Sequence, residues 1–398
     1  MISSIELLKM ESLKSEQSPS LIKLFLSFLR LGLTAFGGPA MIAHIKELSV
    51  KKNKWLKEEN FNQGIVLCQS IPGATAMQMA GFVGLSLKGI RGALASFVGF
   101  GLPAFVLMLV FSILYANYHG LSFVQSLFSG LQVIVVAIIA QATYSFGKNI
   151  ANRYQNIIIA LAASGSLGIG ISPFLVIPGA GLVSIFLYGK TKPSPASDQK
   201  VESWEIKPIV VLLLIILSGL ILLYFVNLKS LFLSLLMMKI DLFAFGGGFT
   251  SLPLMLHQIV DVRGWMDAKV FMDGIALGQV TPGPIVITAT FVGYLVAGFW
   301  GALIATLSIF TPSFLMMVII NPVFDRLKAS PLFLKATQGI LASFVGLLLF
   351  ILIKFALAVP WDIIRVLLGM VALIALIKKI DLLYVVIIGG IISIWLFS

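Results

Sequence analysis

Charge is what this chain lacks. Only 11% of its 398 residues are Asp, Glu, Lys or Arg, against roughly a quarter in soluble domains. Hydrophobic residues make up 59%, and mean hydropathy is +1.04. A set of soluble domains is excluded, and lipid has to serve as solvent for most of the surface. Cysteine is nearly absent. Cys68 stands alone, which excludes an internal disulfide and a cysteine metal cluster; it reads as a small apolar residue in a packed helix. The three histidines, His44, His119 and His257, form no H-E-x-x-H pair. No G-x-S-x-G, Walker A or C-x-x-C sequence occurs, and Ser166 to Gly170 does not complete a dinucleotide fingerprint. No enzyme chemistry, cofactor or metal is expected. A membrane β-barrel is excluded as well, because runs such as 210–223 do not alternate. The net charge of +12 sits in short loops between apolar runs, where membrane orientation accounts for it without nucleic acid.

Long apolar runs are abundant, and they come in duplicate. Phe36, Gly37 and Gly38 recur as Phe245, Gly246 and Gly247; Gln69, Pro72 and Gly73 recur as Gln279, Pro282 and Gly283. Pro103 matches Pro312, and Gly130 matches Gly339, so the offset stays at 209 or 210. The chain is a tandem duplication of roughly 165 residues, and each copy carries two helix-breaking motifs inside apolar sequence.

Residues 1–20 read as a charged, amphipathic segment without a cleavable signal. Ser18 and Pro19 read as the cap and first residue of a helix. The first repeat is assigned to 21–189. Residues 190–230 are assigned to a polar linker plus one unmatched apolar helix, and 231–398 to the second repeat. The expected fold is an all-α polytopic membrane protein with two inverted homologous repeats and broken or re-entrant helices, about 9–13 crossings in all. If every segment crosses, the cationic residues divide 16 to 8 between the faces. If the broken segments are re-entrant hairpins, the division is 19 to 5. Both patterns place the N-terminus in the cytoplasm.

A helix interrupted within a membrane leaves backbone N–H groups without partners at the restart. Gly38 and Pro39 suit such a restart, and Thr281 is placed to cap a helix begun by Pro282. Each restart carries about half a positive charge, so four would sum to roughly two, which suits a small dianion. Gln69 and Gln279 repeat at one place and can donate to an oxyanion. Arg30 aligns with Lys239, inside apolar sequence where a cation signals function; Thr34 shares a face with Arg30. The expected substrate-binding set is Arg30, Thr34, Gly37, Gly38, Gln69, Gly73, Lys239, Gly246, Gly247, Gln279, Thr281 and Gly283. His44, Asp241 and Asp273 are assigned to coupling or counter-charge. Asp241 aligns with Gly32 and Asp273 with Gln63, so these carboxylates belong to one half only.

The paired motifs resemble those of the chromate ion transporter family in its long, two-domain form. The resemblance rests on Phe36 to His44, Trp55, Gln69 with Pro72 and Gly73, Phe245 to Gly247, Trp265, and Gln279 with Pro282 to Pro284. It implies a cytoplasmic-membrane secondary transporter that exports chromate, with halves of opposite orientation. Copy one has Ala74 where the usual form has a second proline, and copy two has Gly248 in place of Pro39 and nothing matching His44. The expected partners are a small inorganic oxyanion (chromate, or sulfate) and the lipid bilayer, with a homodimer as an option. The alternatives are a carrier for sulfate or another anion, an anion channel, and, from other classes, a membrane-embedded enzyme or an assembly subunit.

Overall fold

The computed structural model describes residues 19–36, 38–189 and 206–397. The expected amphipathic segment lies almost wholly outside them, as do Gly37 and the linker residues 190–205. Helix predominates, and the one extended pairing among the described residues is a bridge between Pro72 and Phe245. Among the described residues, five helical stretches are long and apolar enough to cross a membrane: 75–118, 122–150, 207–226, 285–329 and 331–358.

The first repeat begins with α1 (Leu21–Thr34) and α2 (Gly38–Lys46), which runs on as a π-helical turn over Glu47–Lys52. Ser20, not Ser18, caps α1 by accepting from the Lys23 N–H, so Pro19 precedes the helix rather than opening it. Then come α3 (Glu58–Ser70), α4 (Thr75–Tyr118), α5 (Ser122–Ile150), α6 (Tyr154–Gly168) and α7 (Pro173–Leu187). The unmatched helix is α8 (Ile206–Val226). The second repeat holds α9 (Leu228–Leu242), α10 (Gly248–Leu256) with a π-helical turn over His257–Val262, and α11 (Ala268–Val280). It continues through α12 (Thr288–Ile320), the short α13 (Phe324–Ala329), α14 (Pro331–Ala358), α15 (Ile363–Ile377) and α16 (Leu382–Phe397).

The second broken segment of each repeat folds back on itself. A Cβ placed on Gly64 would lie 2.4 Å from the Phe82 ring, and one on Gly274 would lie 2.4 Å from the Phe291 ring. In a continuous helix, residues this far apart in sequence would be separated by more than about 20 Å. The chain therefore enters along α3, turns at Pro72 and Gly73, and returns along the start of α4; α11 and α12 do the same around Pro282 and Gly283. The long helices α4 and α12 are themselves bent into hairpins. Gly89 has φ +61° and ψ −153°, and Gly298 has φ +61° and ψ −150°, a conformation open to glycine and strained for other residues. Beyond these turns the arms touch: a Cβ on Gly84 would lie 2.1 Å from the Gly92 carbonyl oxygen, and the Thr290 and Thr306 hydroxyls are 2.6 Å apart.

The last two helices of each repeat pack on the long helix of the other. α6 and α7 are antiparallel, since Tyr188 at the end of the pair donates to Asn156 at its start. They rest on α14, where Ser184 Oγ donates to the Lys335 carbonyl at 2.8 Å and Gly346 meets the Ala160 backbone. α15 and α16 rest on α5, with Arg365 Nη2 donating to Ser129 Oγ at 2.9 Å and Ser126 Oγ to the Phe397 carbonyl at 2.8 Å. Glycine at the contacts lets the backbones approach closely, the usual basis of helix association where lipid removes the hydrophobic drive. Between the halves, α4 packs on α12, with Phe97 edge-on to Phe310 and Phe314 at ring distances of 6.2 and 5.2 Å.

Candidate functional site

The tips of the broken helices meet. The Gly73 N–H donates to the Ala244 carbonyl at 2.9 Å, and the Gly283 N–H donates to the Ala35 carbonyl at 3.0 Å. Each half thus bonds the tip of the other through equivalent residues. Gly73 has φ +119° and Gly283 φ +113°, in the range that side chains resist. A Cβ on Gly73 would lie 2.2 Å from Ser313 Oγ, and one on Gly283 would lie 2.8 Å from the Ala104 Cβ. Residues 104 and 313 are themselves repeat partners, so the junction keeps the duplication at the level of residue positions.

Helix starts converge on this junction. α4 begins at Thr75, one residue past Ala74. α10 begins at Gly248, and a Cβ on Gly247 would lie 3.3 Å from Thr75 Oγ1. A Cβ on Gly248 would lie 3.7 Å from the Val286 nitrogen, in the single 3-10 turn that leads into α12. None of the three starts has a side-chain cap. Positive dipole ends and backbone donors are therefore gathered where chain from both halves comes together. Gln279, one turn before Pro282, is 92% buried, and its Nε2 has no hydrogen-bond partner. A buried donor left without an acceptor is costly unless a ligand supplies one.

The expected caps differ in detail. Pro282 does not open a helix, because Gly283 at positive φ and Pro284 carry the chain out of helical geometry before Ile285–Ile287. Thr281 Oγ1 donates back to the Gly278 carbonyl at 2.8 Å, closing α11 instead. Pro72 likewise precedes the helix start at Thr75 by three residues. At the first break the chain does restart as helix, with Gly38 as the first residue of α2 and not its cap.

Two carboxylates are buried in the second repeat. Asp241 is fully buried at the end of α9 and accepts from the Ser313 N–H at 2.6 Å and from Ser313 Oγ at 2.7 and 2.9 Å. Pro312 cannot take part in the α12 hydrogen-bond ladder and disturbs the turn around it, which frees the next N–H for the carboxylate. Ser313 Oγ in turn accepts from the Ala74 N–H at 2.8 Å. Gln78 completes the cluster, donating to the Pro72 carbonyl at 2.6 Å. Asp273 on α11 accepts from Tyr115 Oη at 2.9 Å and from Gln132 Nε2 at 2.8 Å, both from the first half. Neither carboxylate has a cation within ion-pair distance among the described residues.

The expected cations stand apart from this centre. Arg30 and Thr34 are exposed and line a groove beside α1 with Lys23 and Lys52. Lys239 is exposed, its ammonium 4.0 Å from the centre of the Phe174 ring. Gln69 and His44 are exposed too. The junction thus unites Gly73, Gly247, Gln279, Thr281 and Gly283 with Gly246, whose φ is +89°. Ser313, Gln78, Tyr115 and Gln132 were missed. A signal for three of them was in the duplication: Asp241 and Ser313 replace Gly32 and Ala104, and Asp273 replaces Gln63 while Tyr115 and Gln132 stand opposite Phe324 and Leu341. Polar residues that depart from a repeat in pairs are candidates for contact.

A family model described as chromate transporter matches residues 22–185 and again 230–394. An uncharacterized transporter of Methanocaldococcus jannaschii is 44% identical over 96% of each chain. A chromate transport protein of Cupriavidus metallidurans is 30% identical over 90% of this chain and 88% of its own. A chromate transport protein of Pseudomonas aeruginosa is 31% identical over 82% of this chain and 79% of its own. No solved structure matches.

Proposed function

Because the chain belongs to the chromate transporter family, a family of multi-pass membrane transporters and not of enzymes, we propose that it carries a tetrahedral oxyanion dianion, chromate, out of the cell through the junction of its hairpin tips. The observations that carry this reading are the convergence of uncapped helix starts from both halves and a buried Gln279 amide without an acceptor, four residues before Gly283. A dianion would meet backbone N–H groups and the Gln279 amide there, with the helix dipoles supplying the positive potential. Gly73, Gly246, Gly247, Gly283 and Gly38 give the close approach of backbone that side chains would block. Thr281 closes α11 at the tip, and the exposed Gln69, Arg30, Thr34 and Lys239 serve the approach to this centre. Asp241 and Asp273 act as fixed acceptors for neutral donors: Asp241 holds Ser313 against the Ala74 tip, and Asp273 ties α11 to Tyr115 and Gln132 of the first half.

The proposed arrangement in the membrane is inverted. The first repeat's hairpins open on the face that carries Asn53 and Gly89. α4, α5 and α8 then change sides, and the second repeat's hairpins open on the face that carries Arg263 and Gly298. Contacts at one level support this reading: Lys229 Nζ donates to the Val296 carbonyl at 2.9 Å, and Lys354 pairs with Asp261. The excess of cations on the first face supports a cytoplasmic location for it in an inner membrane. The junction is built within one chain, so a homodimer is not needed to complete it.

Sulfate has the same shape and charge as chromate, and uptake competition among chromate, sulfate and molybdate in inverted membrane vesicles tests the choice. Saturable chromate uptake is expected, with sulfate and molybdate competing because they share its shape and charge. Chromate left outside while sulfate enters would assign a sulfate carrier.

A further inference from the structure

Lys23, Arg30 and Lys52 line one groove of about 660 Å³ between α1 and the π-helical turn after α2. The rest of its wall is Ser20, Ser27, Thr34, Asn53 and apolar side chains, with no acidic residue. None of the three cations has an ion-pair partner among the described residues. Their neighbours are treated differently: Lys46 is bonded to Glu58 at 2.6 Å and Lys51 to Glu47 at 3.0 Å. The groove follows α1 from Ser20 to Thr34, next to Ala35, whose carbonyl accepts from the Gly283 tip. It therefore ends one residue short of the carbonyl that holds the tip.

The second repeat does not keep these cations. At the offset of 209, Lys23 becomes Phe232 and Lys52 becomes Asp261. Asp261 is paired with Lys354, and Lys239, the counterpart of Arg30, is held over the Phe174 ring. Duplication alone would give both faces the same chemistry, so the cationic groove is a property of one face.

We propose that Lys23, Arg30 and Lys52 form an anion-collecting site, distinct from the hairpin-tip junction, that loads the oxyanion dianion from the face carrying Ser20 and Asn53. This rests on the transport reading above and adds a place and a direction of loading to it. Like-signed charges lining a cleft with low-dielectric walls raise the local concentration of a counter-ion and its on-rate by 10-fold or more at low ionic strength. Such a gain fades as salt screens it.

The test is chromate flux by full-length protein in right-side-out and inverted vesicles, at 10 and 200 mM salt (about 30 and 7 Å of screening length). Wild type is compared with the triple variant Lys23→Gln, Arg30→Gln, Lys52→Gln and with the charge-keeping Lys23→Arg, Arg30→Lys, Lys52→Arg. The expected result is a KM raised about tenfold on the Asn53 face at low salt, with kcat and the opposite-face KM unchanged. The glutamine variant's KM should no longer depend on salt, and the charge-keeping variant should match wild type. An equal rise on both faces, an unchanged KM, or a fall in kcat alone would overturn the proposal. So would a wild-type advantage that vanishes when phosphatidylglycerol is added to phosphatidylcholine vesicles, since a lipid headgroup would then hold the groove. Wild type that carries no chromate would reject the transport reading instead. Equilibrium dialysis of labelled sulfate against the purified wild type and glutamine variant then judges the groove, and equal binding overturns it.

Discussion

At the scale of single residues, the junction depends on two glycines whose missing side chains leave room for the opposite half. Gly73→Ala would drive a methyl group against Ser313 Oγ, and Gly283→Ala one against Ala104, both at positive φ. Each strained residue costs about 1–3 kcal/mol, and flux should be lost in both while the protein still reaches the membrane. Ala104→Gly should restore part of the flux to Gly283→Ala by removing the clash, measurable as chromate uptake. Ser313→Ala removes both hydroxyl bonds of Asp241 and should lower stability by about 1–3 kcal/mol, read as a lower melting temperature in detergent. Asp241→Asn, which keeps an acceptor for the Ser313 N–H, should cost less. The glycines were legible in the sequence because they repeat. Ser313 was legible only as a departure from the repeat paired with Asp241, because their contact spans 72 residues of sequence.

At the scale of elements, the question is whether the broken segments cross or turn back. Apolar content and the proline and glycine breaks fit both, and the cation count only leaned toward hairpins. The Gly64–Phe82 and Gly274–Phe291 contacts decide it by packing, which no run of hydropathy encodes. With Cys68→Ala as background, single cysteines at Asn53 and Gly89 should react with a membrane-impermeant maleimide from the same side. Labelling from opposite sides would require full crossings and remove the hairpins. Helix restarts were less legible than helix breaks. Pro282 and Thr281 look like a start in sequence, yet the positive φ of Gly283 postpones helix to the residues after Pro284.

At the scale of the whole molecule, duplication, membrane residence and the two-part plan were readable from repeats and composition. The exchange of terminal helices was not: α6 and α7 pack on α14, and α15 and α16 on α5, through glycine contacts whose partners lie in the other half. The inverted reading predicts that cysteines at Asn53 and Arg263 label from opposite faces; labelling from one face would make the repeats parallel. Inversion also bears on energetics. A dianion leaving a cell with a negative interior gains about 4.6 kcal/mol per 100 mV, from 2.3 per charge, so export needs no proton. The most direct measurement of the account is chromate flux in liposomes driven by a potassium diffusion potential with no pH gradient. The account predicts saturable flux in wild type, none in Gly283→Leu, roughly tenfold weaker apparent affinity in Gln279→Leu, and near wild-type flux in Asp273→Asn. Flux that requires a pH gradient, stops with Asp273→Asn and survives Gly283→Leu would contradict it.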